Sequence, residues 1–205
     1  LYGTAAATGS VQTALAYCDA DGSGSLLYNP NVPILSPTRT NYGQYRNLIL
    51  GDEESSFVFG NQSSSYFYAF PIERSGYKEE LLPGVMTFAI SGSTQTLYLT
   101  DDSKQGGAAV FSEAGRVYNL VSGSAGAVNT TVNTNGWSLP DIATLILSGE
   151  ALDGRFVDGG INLGTDRTIN NQSNNPNLLF AAINMASAAS IPGWTLNSNE
   201  QLSSD

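Results

Sequence analysis

Histidine is absent from this 205-residue chain, and cysteine occurs once, at Cys18. Without histidine the commonest general base and the commonest transition-metal ligand are both missing, so Ser-His-Asp and Cys-His catalysis cannot be assembled from this chain alone. One cysteine forms no disulfide within the chain and supplies no cysteine-rich metal site, which excludes a disulfide-stapled secreted scaffold. Charge is scarce too: 13% of residues are Asp, Glu, Lys or Arg, about half the usual share. No apolar run approaches the roughly 20 residues of a membrane-spanning helix, and the N-terminus has no charged region leading into an apolar one. The chain begins at Leu1 rather than Met, which fits a fragment, a processed product or the ordered part of something longer.

What is present points to β structure. A hydrophobic fraction of 41% is enough to build a core, so wholesale disorder is not expected. Polarity comes from Gly, Ser, Thr and Asn, which suit turns and strand faces better than solvated helices. Eight Lys and Arg stand against eighteen Asp and Glu, a formal net charge of −10. A basic face for phosphates is lacking, so nucleic acid and anionic membranes are disfavoured as partners. A basic protein partner or bound cations fit the charge better.

Along the chain, residues 1–37 read as an extended N-terminal arm. Ala5 to Tyr17 is a candidate helix weakened by Gly9 and its threonines, Asp19 to Ser25 reads as a turn, and Pro30, Pro33 and Pro37 favour an extended path. Residues 38–205 read as one mainly-β domain. It opens with a helix over Thr38 to Leu50, with Tyr42, Tyr45 and Ile49 on one stripe, Thr40 as cap and Gly51 as stop. Strands are expected over Phe57 to Phe59, Tyr66 to Ile72, Val85 to Ile90, Thr96 to Thr100, Ala108 to Phe111, Val117 to Val121, Ala127 to Val132 and Asp141 to Leu147. Gly60 to Ser65 reads as the loop of a hairpin. A C-terminal helix is expected over Asn177 to Ala189, started by Asn175 and Pro176. The expected fold is an antiparallel β-sandwich or barrel-like domain with two or three short helices and the arm.

Few motifs carry chemistry. Asp19-Ala20-Asp21-Gly22-Ser23-Gly24-Ser25 resembles the first half of an EF-hand loop, yet Pro30 stands where a bidentate Glu should close the shell. Asp-Gly and Ser-Gly are also ordinary turn residues. Glu53-Glu54, Glu79-Glu80 and Asp101-Asp102 could supply the two carboxyls of a glycosidase, but neighbours on a strand point to opposite faces. Three Asn-x-Ser/Thr matches are expected by chance in so Asn- and Ser-rich a chain, and no phosphate-cradling loop is present. No cofactor and no metal site is expected. Trp137 and Trp194 read by default as buried or interface aromatics. The stretch from Ile72 to Gly84 ends a strand in mixed charges before Pro83-Gly84 turns the chain. It reads either as a charged loop at the end of the domain or as a contact surface. The candidate interface residues are Arg74, Tyr77, Lys78, Pro83, Gly84, Arg116 and Tyr118.

Several blocks taken together resemble a known family. These are Tyr42-Gly-Gln-Tyr45-Arg46 running to Asp52, Tyr66-Phe-Tyr-Ala-Phe-Pro-Ile72 with Glu73-Arg74, and Tyr77-Lys-Glu-Glu-Leu-Leu-Pro-Gly84. The likeness continues through Leu99 to Ser103, Ala114 to Ser124 and, more loosely, Gly160 to Gly164. Over residues 40–185 the chain resembles a virion structural protein of T4-like marine cyanophages. Ser75-Gly76 departs from the bulkier residue expected there, residues 1–37 have no counterpart, and family members continue beyond the position of Asp205. The resemblance implies a structural subunit of the virion (tail, baseplate or neck) with other virion proteins as partners, in several copies, and no catalytic residues. A rival reading is a receptor- or glycan-binding module on a tail fibre, using Tyr and Trp rings. A third is a depolymerase restricted to carboxylate chemistry.

Overall fold

The structure, a computed structural model, describes residues 16–23, 29–72, 77, 79–92, 96–106, 110–130, 134–149, 194–195 and 203–204. Its elements are strand β1 (Ala16–Asp19), helix α1 (Pro37–Leu50), then β2 (Phe57–Phe59), β3 (Gln62–Ser64), β4 (Tyr66–Pro71), β5 (Met86–Gly92) and β6 (Thr96–Asp101). There follow β7 (Val110–Ser112), β8 (Gly115–Ser124), β9 (Ala127–Thr130), β10 (Gly136–Leu139), β11 (Thr144–Ser148), β12 (Trp194–Thr195) and β13 (Ser203–Ser204). Short 3-10 turns occupy Pro33–Leu35, Ser103–Gln105 and Pro140–Ile142. The protein is therefore mainly antiparallel β, with one α-helix among the described residues.

One large sheet runs in the order β1-β4-β11-β10-β8-β6-β5-β12, with β13 also on β5 and with β7 and β9 on β8. Strand β8 is the hub. Its first residues pair with β7, its middle with β10 and β6, and its end with β9 across a bulge at Ser122/Gly123. A bulge bends and twists a strand, which suits one that serves neighbours at both ends. The sheet curls far enough for Phe70 on β4 to meet Phe88 on β5, with ring centroids 5.4 Å apart. Those strands are five places apart in the sheet order. No strand pairing closes the curl into a barrel among the described residues.

Both faces of β4 and β11 are buried, all but Pro71 of their residues. Side chains alternate across a strand, so Tyr66, Tyr68 and Phe70 line the concave side with Leu145 and Leu147. Phe67, Ala69 and Ile146 point the other way, toward α1 and the β2–β3 hairpin. There Tyr42 of α1 packs on Phe57 (5.3 Å) and Phe67 (5.5 Å), Tyr45 packs on Phe67 (5.7 Å), and Phe57 meets Phe67 at 4.6 Å. Trp137 of β10, half-buried, extends this cluster to Phe59 at 4.8 Å.

Helix α1 starts one residue earlier than expected. Pro37 takes the first position, where its missing N–H is harmless, and Ser36 rather than Thr40 occupies the N-cap. The Ser36 hydroxyl donates to the Gly22 carbonyl instead of capping, and Thr38 donates to the same oxygen at 3.2 Å. Thr40 donates back to the Ser36 carbonyl. This ties the Asp19 to Ser23 turn to the head of the helix. Tyr42 and Ile49 are buried as the stripe required, and Gly51 ends the helix in the left-handed conformation.

Other elements differ from the sequence reading. Phe57–Phe59 pairs with Gln62–Ser64 through a two-residue Gly60-Asn61 turn, not with the aromatic strand beyond it. Gly60 has φ 61°, which suits the first position of a tight hairpin turn. Strand β10 was not anticipated, and Asp141 belongs to a 3-10 turn before β11 rather than to that strand. Ala16 and Tyr17 do not end a helix; they open β1, whose Cys18 is fully buried opposite Phe67. Strand β1 falls within residues 1–37, the stretch read as an arm. The rest of the candidate Ala5 to Tyr17 helix and the Asn177 to Ala189 helix lie outside the described residues.

The aromatic cluster predicts a contrast within one strand. Phe57→Ala is expected to lower unfolding stability by about 3–5 kcal/mol. Val58→Ala, whose side chain is 45% exposed, should change it by under about 0.5 kcal/mol. Urea unfolding midpoints of both variants check this.

Candidate contact surfaces

Of the seven candidate interface residues, Arg74 and Lys78 lie outside the described residues. Of the other five, Tyr77, Pro83 and Gly84 fall between β4 and β5, Arg116 is near the start of β8, and Tyr118 is within β8, opposite Ser138 of β10. Tyr77, Pro83, Arg116 and Tyr118 are half-buried and Gly84 is buried. Gly84 is the best anchored. Its amide lies 2.8 Å from both carboxylate oxygens of Asp101, and Asp101 also accepts from the Ser103 amide at 3.2 Å and from the Ser103 hydroxyl. Asp101 is 2% exposed, so these donors replace the water it has lost. At φ 82° a side chain on residue 84 would be strained, and its Cβ would lie 2.7 Å from Lys104 Cγ. The Pro83-Gly84 turn is thus built around a buried carboxylate.

Arg116 is held just as firmly. Its Nη2 pairs with Asp141 Oδ1 at 2.5 Å and with Glu80 Oε2. Its Nε lies 3.1 Å from Asp141 Oδ1, and its backbone amide donates to Asp141 Oδ2 at 2.6 Å. The hydrogen bond to Asp141, then the charges of Asp141 and Glu80, raise the guanidinium pKa further. The hydrogen bond from Arg116 is the main reason that the Asp141 carboxyl titrates below its usual range. The Leu81 amide donates to the Pro140 carbonyl at 3.2 Å, so the charged segment is laced to the turn before β11. Gly84 and Arg116 both serve intramolecular contacts first.

Two further acids follow the same pattern. Asp102 accepts from the Asn119 amide at 3.0 Å and from its side chain at 2.9 Å. Asp52 accepts from the Ser55 hydroxyl and from the Ser55 and Glu54 amides, bonds that lower its pKa. Asp101 and Asp102, one pair a glycosidase could use, therefore organise separate turns. No group of three or more His, Cys, Asp or Glu side chains placed to hold a metal occurs among the described residues. Burial, then the charge of Asp19, pushes the Cys18 thiol well up, so little reactive thiolate forms near neutral pH. Burial likewise pushes Tyr45 up to about 12.

Sequence reasoning passed over a different surface. Val32, Ile34 and Leu35, where the chain enters α1, are 39%, 68% and 74% exposed. Phe111 on the short strand β7 is 77% exposed. The signal was the Asn-Val-Pro-Ile-Leu-Ser-Pro run, in which prolines bracket apolar side chains that have no helical or strand period to bury them. Compared with known proteins, the chain matches no family model, no curated protein and no solved structure.

Two outcomes follow from the turn network. Gly84→Ala should cost about 1–3 kcal/mol, from strain at positive φ and the clash with Lys104. Asp141→Asn should cost about 1 kcal/mol at pH 7, a value limited by the partial exposure of the pair. A depressed carboxyl contributes stability above its unfolded pKa of about 4, and that contribution is lost as pH falls through the lower folded value. Asp141→Asn should therefore flatten the acid limb of the stability curve below about pH 4. Urea midpoints across pH 2–7 check both, with Asp52 expected to retain part of the limb.

Proposed function

We propose that this chain is a structural subunit of a tailed-phage virion, in the tail, baseplate or neck, working through protein–protein contacts. The link to a phage particle comes from the resemblance over residues 40–185. The observation that carries the contact reading is the exposed apolar run Val32, Ile34 and Leu35 beside α1. An isolated exposed leucine needs no explanation, but apolar side chains grouped at one place on a surface mark an interaction site. Phe111 on β7 adds an exposed apolar ring, on a strand that among the described residues pairs only with β8.

The curled sheet is a barrel-like or sandwich-like domain in this reading, with β1 as one of its strands and the run from Asn29 to Leu35, between β1 and α1, lying against a neighbouring subunit. Long loops and short edge strands then supply the docking edges. A glycan-binding module has less support, because several of the rings it would stack on sugar are in the core, although Tyr98 is 46% exposed. Tyr42, Tyr66 and Tyr68 are buried, and Trp137 packs on Phe59.

The double substitution Ile34→Asp with Leu35→Asp tests the reading, since neither side chain is buried. Its melting temperature should stay within about 2 °C of the parent. Its incorporation into particles, measured by competition with the unaltered chain during assembly, should fall at least about tenfold, as expected for losing one or two apolar contacts. Equal incorporation of both chains would remove the exposed run from the contact surface.

A further inference from the structure

Beside the exposed run, a groove of about 260 Å³ follows one side of α1. Ile34, Arg39, Thr40, Tyr42, Gly43 and Arg46 contribute to its lining. Arg39, Gly43 and Arg46 fall at i, i+4 and i+7, so they share a helical face. The two arginines stand two turns apart, about 10 Å along the axis, with the glycine between them.

The state of these arginines sets them apart. Four basic residues are described: Arg116 is held by Asp141 and Glu80, and Lys104 donates to the Ala125 carbonyl at 3.2 Å. Both ion pairs among the described residues belong to Arg116. Arg46 Nε is buried with no hydrogen-bond partner there. Its guanidinium lies 5.7 Å from the Tyr42 ring centroid, a cation–π contact that gives the Nε–H no acceptor. Asp52 feels its charge, but Ser55 and Glu54 take the Asp52 hydrogen bonds. A buried donor left unmade costs about 1–3 kcal/mol, so an incoming acceptor has something to gain.

Gly43 adds a second observation. Glycine inside a helix costs about 1 kcal/mol relative to alanine, yet a Cβ at residue 43 would meet nothing within 4 Å. Its helical neighbours do not require it. Its effect is to leave the floor of the groove open between two guanidinium groups.

We propose that this groove is a carboxylate-binding site, which takes an Asp or Glu side chain from a neighbouring protein subunit while Ile34 receives an adjacent apolar residue. Arginine suits this role because its planar fork matches a carboxylate. The groove holds one or two side chains. A nucleic-acid backbone would need a long basic track, and the chain's net charge of −10 repels one. The inference deepens the subunit reading and rests on it, naming the chemistry of the partner's contact.

The test uses the isolated 205-residue chain, ¹⁵N-labelled, so that its failure leaves the location in a particle untouched. The probe is acetyl-Leu-Glu-Leu-amide, compared with its Gln counterpart and with sodium sulfate at equal ionic strength. The Glu peptide should shift the Arg39 and Arg46 Nε–H signals and the Gly43 amide saturably. The Gln peptide should bind at least about tenfold more weakly, as expected for losing a charge-assisted hydrogen bond. Gly43→Leu should fill the groove and abolish the shifts while keeping or raising the melting temperature, since leucine is the better helix former. Arg39→Gln should weaken binding with the fold intact. Equal responses to the Glu and Gln peptides, an equal response to sulfate, or binding retained by a folded Gly43→Leu would each overturn the proposal. Tighter binding of an oligonucleotide to the same residues would overturn it as well.

Discussion

The packing of Phe67 against Phe57, at 4.6 Å, is the contact on which the rest of this structure depends. Phe67 belongs to β4, the strand that joins β1 to the body of the sheet. Phe57 belongs to a hairpin outside that sheet. Tyr42 and Tyr45 of α1 close over Phe67, so one ring fastens helix, hairpin and sheet together. On the other side of β4, Tyr66, Tyr68 and Phe70 fill the hollow of the curled sheet. A strand buried on both faces needs a near-continuous apolar run, and Tyr-Phe-Tyr-Ala-Phe is such a run.

Around this core, a strongly acidic chain uses its carboxylates as architecture. Asp101 gathers the Pro83-Gly84 turn, Asp102 holds the Asn119 backbone, and Asp141 chelates Arg116 while accepting its amide. Each is a charge-assisted bond, and at the buried Asp101 the donors also replace lost water. Turns at the ends of β5, β6 and β8 are thereby stiffened with few long side chains. This also separates two kinds of cation. Arg116 completes a turn, whereas Arg39 and Arg46 face an open groove next to exposed apolar residues.

The β class and helix α1 were legible because their apolar periods are local. Tyr42, Tyr45 and Ile49 repeat at helical spacing, and the flanking Pro37 and Gly51 bound the segment. Strand β3 was not legible, because Gln62-Ser63-Ser64 has no apolar residue and is a strand only through its pairing with Phe57–Phe59. Strand β10 was hidden for a similar reason, since Trp137 and Leu139 are its two apolar markers in four residues. The candidate site suffered from distance in sequence. Gly84 and Arg116 drew attention as a turn residue and a scarce cation, but their partners lie 17 and 25 residues away. Composition alone cannot connect a glycine amide to a carboxylate that far along the chain. Arg39 and Arg46 went unremarked as a pair because nothing in the sequence shows that α1 lines a groove with both of them.

The subunit reading joins these features into one account. A rigid, turn-laced sheet holds α1 in place, and the groove and apolar run beside α1 form the face offered to a neighbour. The most direct measurement is a density map of the intact particle at a resolution that traces side chains. The account predicts repeated copies of this chain in the tail, baseplate or neck, each with the α1 face covered by another subunit. Copies found solely at a host-facing fibre tip, with the α1 face open to solvent, would contradict it.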